Sequence, residues 1–241
     1  MQLEGKTALV TGGGTGIGQA IALLLAAEGC RVAIVGRREE KLREASLRWQ
    51  GQPSILYHQG DVSKRSSVNH LCAWLAKELG PVDILVNNAG TNVKKRSMAE
   101  TDPVDWDRIL QINATGCFNC MHTLLPQMRR RKKGLIINIS SVAGKHVYPI
   151  GGVAYTASKF AMTALGTIVG LEEAKNGIRV TNIYPGEVDT PLLEKRPQLV
   201  SAAHRAHILQ PEDIASAVLM VAQLPTRVHV PELTIKPAID S

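Results

Sequence analysis

Aromatic side chains are scarce in this chain of 241 residues, 4% of the total with only two phenylalanines. A groove that stacks successive nucleobases is therefore not on offer, and the core has to be assembled from Ala, Val, Leu and Ile. No apolar run approaches the roughly 18 residues of a membrane span. Met1 to Lys6 leads directly into a strand-like stretch and leaves no room for a signal peptide, so a soluble, cytoplasmic protein with no membrane partner is expected. No linker rich in proline, glycine or serine divides the sequence, which predicts one domain over 1–241. Cysteine is sparse and dispersed, at 30, 72, 117 and 120. Cys117 and Cys120 form a C-x-x-C, but the second ligand pair that a zinc site needs is missing, and residues three apart share a helix face. Free thiols and no metal are expected. Negative charge is the minority, 21 acidic against 28 basic residues for a net charge of +7. Much of the surplus sits in Arg129–Lys133, where it complements the carboxyl end of a helix as a solvated terminus, and nucleic acid is not an expected partner.

Short apolar runs are what the chain has instead. They recur at 7–11, 31–35, 54–58, 83–87, 134–140, 178–184 and 232–235, with helical patterns between nearly all of them. This alternation predicts an α/β fold, a doubly wound, parallel, seven-stranded sheet with helices on both faces. Polar residues gather where those runs end: Thr11, Arg37, Asp61, Asn87 and Asn88, Ser140 and Ser141, Pro185 and Gly186. The carboxyl edge of such a sheet is where ligands bind.

At the first of these ends, Thr7–Thr11 runs into Gly12-Gly-Gly-Thr-Gly16-Ile17-Gly18 and then an alanine- and leucine-rich helix. The G-x-G-x-x-G spacing is absent. The strand, glycine turn and helix order is still the one that brings backbone amides and a helix N-terminus up to a pyrophosphate. Further on, Tyr155 and Lys159 stand four apart, on one helix face. A cation beside a phenol favours the phenolate and draws a pKa near ~10 toward neutrality, which suits a proton donor and acceptor.

Together these segments resemble the short-chain dehydrogenase/reductase family in its short, single-domain form. The resemblance rests on Thr11-Gly12-x-x-x-Gly16-Ile17-Gly18, Asp61-Val62, Asn87-Asn88-Ala89-Gly90, Asn113, Asn138-Ile-Ser-Ser-Val-Ala-Gly144, Tyr155-x-x-x-Lys159 and Pro185-Gly186-x-x-x-Thr190. It implies a Rossmann-type domain and an oxidoreductase that moves hydride between a nicotinamide cofactor and a small alcohol or carbonyl compound. In that scheme Tyr155 is the acid or base, Lys159 lowers its pKa and holds the nicotinamide ribose, Ser141 steadies the substrate oxygen, and Asn113 fixes a water that relays protons to Lys159. Neighbouring strand residues point oppositely, so only one of the serine doublet can reach the substrate, and the resemblance implies that it is the second, Ser141, rather than Ser140. The loop between Ser141 and Tyr155, through Lys145, His146, Tyr148 and Pro149, is expected to bulge into the pocket.

For the cofactor, the resemblance implies contacts from Gly12, Gly16, Ile17 and Gly18, from Asp61 and Val62 around adenine, and from Asn88, Ala89 and Gly90. Pro185, Gly186, Val188 and Thr190 complete the set with Tyr155 and Lys159. Strand two ends in Val35-Gly36-Arg37-Arg38, with Gly36 where NAD users place an acid, and Glu39 and Glu40 come too late to replace it. Guanidinium suits a 2′-phosphate, so NADP is expected, with Arg37 and Arg38 as its contacts, rather than NAD. Residues 187–210 are expected to form a short, polar lid whose charges mostly face water, over a pocket for a small or polar substrate. The family pairs the helices carrying Asn113 and Tyr155 between subunits, which implies a homo-oligomer, a tetramer or a dimer. The competing reading is a nucleotide-sensing or scaffold protein that keeps the fold without the chemistry; such proteins typically lose the tyrosine or lysine that this chain retains.

Overall fold

Strands with no polar face need helices on both sides. That is the condition of β1 (Thr7–Thr11), β4 (Ile84–Asn87) and β5 (Gly134–Ile139), buried along their whole lengths. The computed structural model describes residues 3–238, so residues 1–2 and 239–241 of the expected 1–241 domain lie outside the described residues. The remaining strands are β2 (Arg31–Gly36), β3 (Leu56–Gln59), β6 (Ile178–Pro185) and β7 (Glu232–Ile235). All seven pair in parallel in the order β3-β2-β1-β4-β5-β6-β7. Successive residues of one strand feed opposite cores: Val10, Ile34 and Ile137 pack toward α1 (Gly16–Ala27), α2 (Glu39–Leu47) and α8 (Pro211–Gln223). Leu9, Val35 and Ile136 pack toward the other layer, α3 (Arg65–Glu78), α5 (Gly116–Arg131) and α6 (Val153–Glu173). One domain with a Rossmann-type sheet results, and no described helix is long and apolar enough to cross a membrane.

The strand order reverses between β1 and β4, and the crevice beyond their carboxyl ends is where a doubly wound sheet binds ligands. Two details differ from the sequence expectation. β3 starts at Leu56 rather than at 54: Pro53 has no N–H to give the ladder, and its carbonyl accepts from the Trp49 indole at 2.9 Å. The basic stretch 129–133 is also more than a solvated helix end. Arg129 forks onto buried Glu173 at the end of α6, while Arg131 bonds Asp83 at 2.8 Å, so the run ties α5 to α6 and to the start of β4.

Candidate active site

The turn after β1 is shaped by backbone. Gly12 has φ +67°, a left-handed value, and a Cβ there would sit 3.0 Å from the Ala89 Cα. Thr11 fastens this turn to the end of β4, its hydroxyl accepting from the N–H groups of Asn88 and Ala89 at 3.0 Å each. Asn88 answers with a side-chain N–H to the Thr11 carbonyl at 3.0 Å. α1 then begins at Gly16 with no side-chain cap from Thr15 and no acid in its first turn. Its first N–H groups and positive dipole end therefore face the crevice unneutralised, as a pyrophosphate requires.

The crevice is one cleft of about 890 Å³. Gly12, Gly16 and Ile17 line it after β1, and Arg37, Arg38, Asp61 and Val62 after β2 and β3, toward one edge of the sheet. Asn88, Ala89 and Gly90 line it after β4, and Pro185, Gly186, Val188 and Thr190 after β6, where Thr190 comes up against Gly16. Ser141 lines it after β5, and Tyr155 and Lys159 from α6. Gly18 lies behind the cleft, where it lets α1 pack against the Gly12 carbonyl and the Asn88 amide. Asn113 also stays outside. It falls in a π turn, Gln111–Thr115, between α4 (Pro103–Leu110) and α5, and is fully buried. Its amide donates to the Thr91 carbonyl at 3.0 Å and the Ser158 hydroxyl at 2.9 Å, and its oxygen accepts from the Thr91 N–H at 2.8 Å. The side chain pins the segment after β4 to the helix of Tyr155.

The serine doublet divides as the pleat requires. Ser140 turns inward to the Lys159 carbonyl and the Thr163 hydroxyl, at 3.2 and 3.1 Å. Ser141 caps a short 3-10 turn, accepting from the Ala143 N–H at 3.1 Å, and its side chain is near enough to the Tyr155 phenol to act on its pKa. Burial raises the Tyr155 pKa above the ordinary phenol value, while Ser141 and the charge of Arg96 act to lower it. The expectation that Lys159 acidifies Tyr155 is not met in this geometry. The ammonium lies 5.6 Å from the ring centre and donates to the Ile139 carbonyl at 2.7 Å. Burial lowers its own pKa to about 8.

After β2, Arg37 and Arg38 are exposed, and neither is ion-paired among the described residues. The Asp61 carboxylate accepts from the N–H and hydroxyl of Ser63, at 3.0 and 2.7 Å. On the loop before α6, Tyr148 and Ile150 reach the cleft whereas His146 and Lys145 do not; Lys145 is drawn to Glu232 at 2.8 Å. In the segment 187–210 the charges pair with one another rather than simply facing water. Glu187 lies 2.9 Å from both Arg196 and His204, and Asp189 is 3.1 Å from Arg205. Leu192, Leu193 and Ile208 of the same segment line the cleft, so its inner face is less polar than the sequence suggested.

Arg96 was missed by sequence reasoning. It is only 8% exposed, yet lines the cleft near Tyr155. In the polar run Asn92-Val-Lys-Lys-Arg96-Ser97, nothing in the spacing separates it from the exposed Lys94 and Lys95.

The model of the short chain dehydrogenase family matches residues 6–199. The chain is 35% identical over 239 residues to an uncharacterized oxidoreductase of Staphylococcus saprophyticus, covering 98% of this chain and 99% of that one. It is 37% identical over 241 residues to glycine betaine reductase ATRR of Emericella nidulans, covering 98% of this chain but 19% of that protein. Among solved structures, 3-ketoacyl-(acyl-carrier-protein) reductase from Brucella melitensis complexed with NADH superposes with a TM-score of 0.89 at 28% identity, covering 98% of both chains. The closed form of serine dehydrogenase complexed with NADP+ gives 0.88 at 30%, covering 98% and 96%.

Proposed function

Because the chain belongs to the short-chain dehydrogenase/reductase family, we propose that it moves hydride between NADP(H) and a small alcohol or carbonyl compound through Ser141, Tyr155, Lys159 and Asn113. The family makes it an NAD(P)-dependent oxidoreductase; the choice of NADP, the substrate and the division of labour are our reading. One observation carries it: Tyr155 and Ser141 share a single cleft with the uncapped start of α1 and with Arg37 and Arg38.

The nicotinamide supplies or accepts the hydride when bound. Everything else falls to the chain. Gly12, Gly16 and Ile17 present backbone to the pyrophosphate, Asp61 and Val62 flank adenine, and Arg37 and Arg38 hold the 2′-phosphate. Asn88, Ala89, Gly90, Pro185, Gly186, Val188 and Thr190 line the path to the reacting end. Gly18 lets α1 approach the turn, a supporting part rather than a contact. Tyr155, a neutral phenol as burial leaves it, gives its proton to a carbonyl oxygen in reduction and takes one from a hydroxyl in oxidation, while Ser141 bonds the same oxygen. Asn113 keeps the segment after β4 in place beside Lys159. Residues 187–210 close over the cleft as a lid.

Titrating the protein with NADPH and NADH tests this reading before any substrate is known. NADPH should bind at least about tenfold more tightly, the contribution expected of charge-assisted contacts to one phosphate. Equal affinity would remove the NADP assignment. Binding of neither would count against the oxidoreductase reading as a whole; the scaffold reading keeps the cofactor site and is distinguished by the absence of turnover, and the retained Tyr155 and Lys159 speak against it.

A further inference from the structure

Arg96 is a cation that the hydride chemistry does not use. It projects from the segment between β4 and α4, and its guanidinium is buried without a carboxylate partner among the described residues. Carbonyls hold it: Nε donates to Val93 at 2.8 Å, Nη1 to Ile150 at 2.8 Å and Nη2 to Lys195. Those carbonyls belong to the segment after β4, the loop before α6 and the segment 187–210. Each Nη nitrogen keeps a second hydrogen beyond these bonds. The chain makes room for the backbone and stem of Arg96: Gly152 has φ +77°, and a Cβ there would collide with the Arg96 carbonyl, Cβ and Cγ. Carbonyl dipoles solvate a guanidinium, but they bring no net charge, and an uncompensated buried cation is costly.

Charge in the same cleft is spoken for elsewhere. Asp61 is at the far end and bonded to Ser63, Glu187 is engaged by Arg196 and His204, and Glu194 is exposed. The Lys195 ammonium bonds the Thr91 hydroxyl at 2.7 Å and lies within electrostatic reach of Arg37, Arg38, Arg108 and Asp105, with no carboxylate in ion-pairing range among the described residues. Around Arg96 the cleft thus lacks a compensating carboxylate among the described residues, the arrangement that draws in and fixes an anion. Burial lowers the Arg96 pKa, as does nearby Arg196, while Tyr155 acts to raise it.

We propose that Arg96 is a specificity residue that binds a carboxylate of the substrate, placing the reacting carbon within a few bonds of that carboxylate. The substrate is then a small oxo acid or hydroxy acid rather than a neutral aldehyde or alcohol. The inference rests on the oxidoreductase reading above and deepens it.

Binding with NADPH in place separates the inference from that reading, because it needs no turnover. Malonate and its neutral dimethyl ester serve as non-reacting probes, followed by the fluorescence of the NADPH complex. In the wild type malonate should bind roughly ten- to hundredfold more tightly than the diester, the range of a charge-assisted hydrogen bond. Arg96→Met should erase that preference while leaving NADPH affinity unchanged. Arg96→Lys should restore part of it, since lysine keeps the charge but cannot reproduce the bonds to the carbonyls of Val93, Ile150 and Lys195. A residue that merely braces the loops would instead weaken both probes alike and would not be rescued by lysine. Equal affinity of the wild type for malonate and its diester overturns the proposal even if neutral carbonyl compounds are reduced. Tighter binding of methyl phosphate than malonate overturns the carboxylate assignment. Loss of the NADPH signal itself would count against the oxidoreductase reading, and wild-type preference between the probes, followed by displacement of bound dye, would still decide the anion site.

Discussion

At the scale of single residues, the account turns on which groups are left without a partner. Arg37 and Arg38 are exposed beside the cleft and without an ion-pair partner among the described residues, while the position before them is Gly36 and carries no carboxylate. Replacing both with alanine should weaken NADPH binding roughly ten- to hundredfold and change NADH binding by no more than about twofold, as read by fluorescence titration. Losses of the same size for both cofactors would show that the arginines shape the loop and do not read the phosphate. That Ser141, Tyr155 and Lys159 would line one cleft was legible from the family pattern their intervals resemble. Arg96 was not. Its burial is set by carbonyls more than 50 residues away in sequence, on Ile150 and Lys195, and by the missing Cβ of Gly152, and no local pattern records that. Three asparagines in register across β4, β5 and β6 show the same limit. Asn87 donates to Asn138 at 2.9 Å and Asn138 to Asn182 at 3.0 Å, a ladder beneath the site that exists only once the strands are in register.

At the scale of elements, α6 has two faces with different tasks. One carries Tyr155 and Lys159 to the cleft and buries Met162, Gly166 and Val169 against the sheet. The other presents Phe160, Ala164, Ile168 and Leu171 to solvent, with Leu171 73% exposed, and Phe118 on α5 lies exposed in the same helical layer. A stripe of this kind at intervals of three and four residues is the mark of a helix that packs against something. We propose that α5 and α6 pair with their counterparts in a second copy of the chain. Leu171→Asp should shift the mass measured by light scattering from an oligomer toward one chain, with the circular dichroism of the native fold retained. A wild-type protein of one-chain mass would end this assignment. Element positions were readable from apolar runs and their polar ends. The late start of β3 was not, because it depends on an indole taking the Pro53 carbonyl.

At the scale of the whole molecule, the dry interior predicts how stability responds to alkali. Burial pushes Cys30 and Cys117 up to about 12 and Cys72 to about 11, from an ordinary 9.0, and raises Cys120 as well. A thiol with a raised folded pKa keeps its proton where the unfolded chain has lost it. Its contribution is therefore complete below about 9 and is lost as pH climbs toward the folded value. Lys159 acts oppositely: with a folded pKa of about 8 against 10.5, it contributes more as pH rises between those values. The thiols outnumber it, so urea midpoints under reducing conditions should fall between pH 9 and 11, and replacing Cys117 and Cys120 with alanine should flatten that fall. A midpoint that rises over the same range would contradict the assigned burial. The alternation of strands and helices made the parallel sheet legible, whereas the way residues 187–210 fold their charges onto each other was hidden in pairings such as Glu187 with Arg196.

The central claim is that Tyr155 transfers a proton to substrate oxygen in an NADP-dependent reaction, and one paired measurement tests it most directly. Oxidation of NADPH is followed over a panel of small oxo acids and their neutral esters, for the wild type and for Tyr155→Phe, with NADPH affinity determined on the same samples. The account predicts turnover by the wild type, a loss of at least about 1000-fold in the variant, as removal of a proton donor that also orients the oxygen implies, and NADPH affinity within about twofold of wild type. Turnover retained by Tyr155→Phe would contradict it.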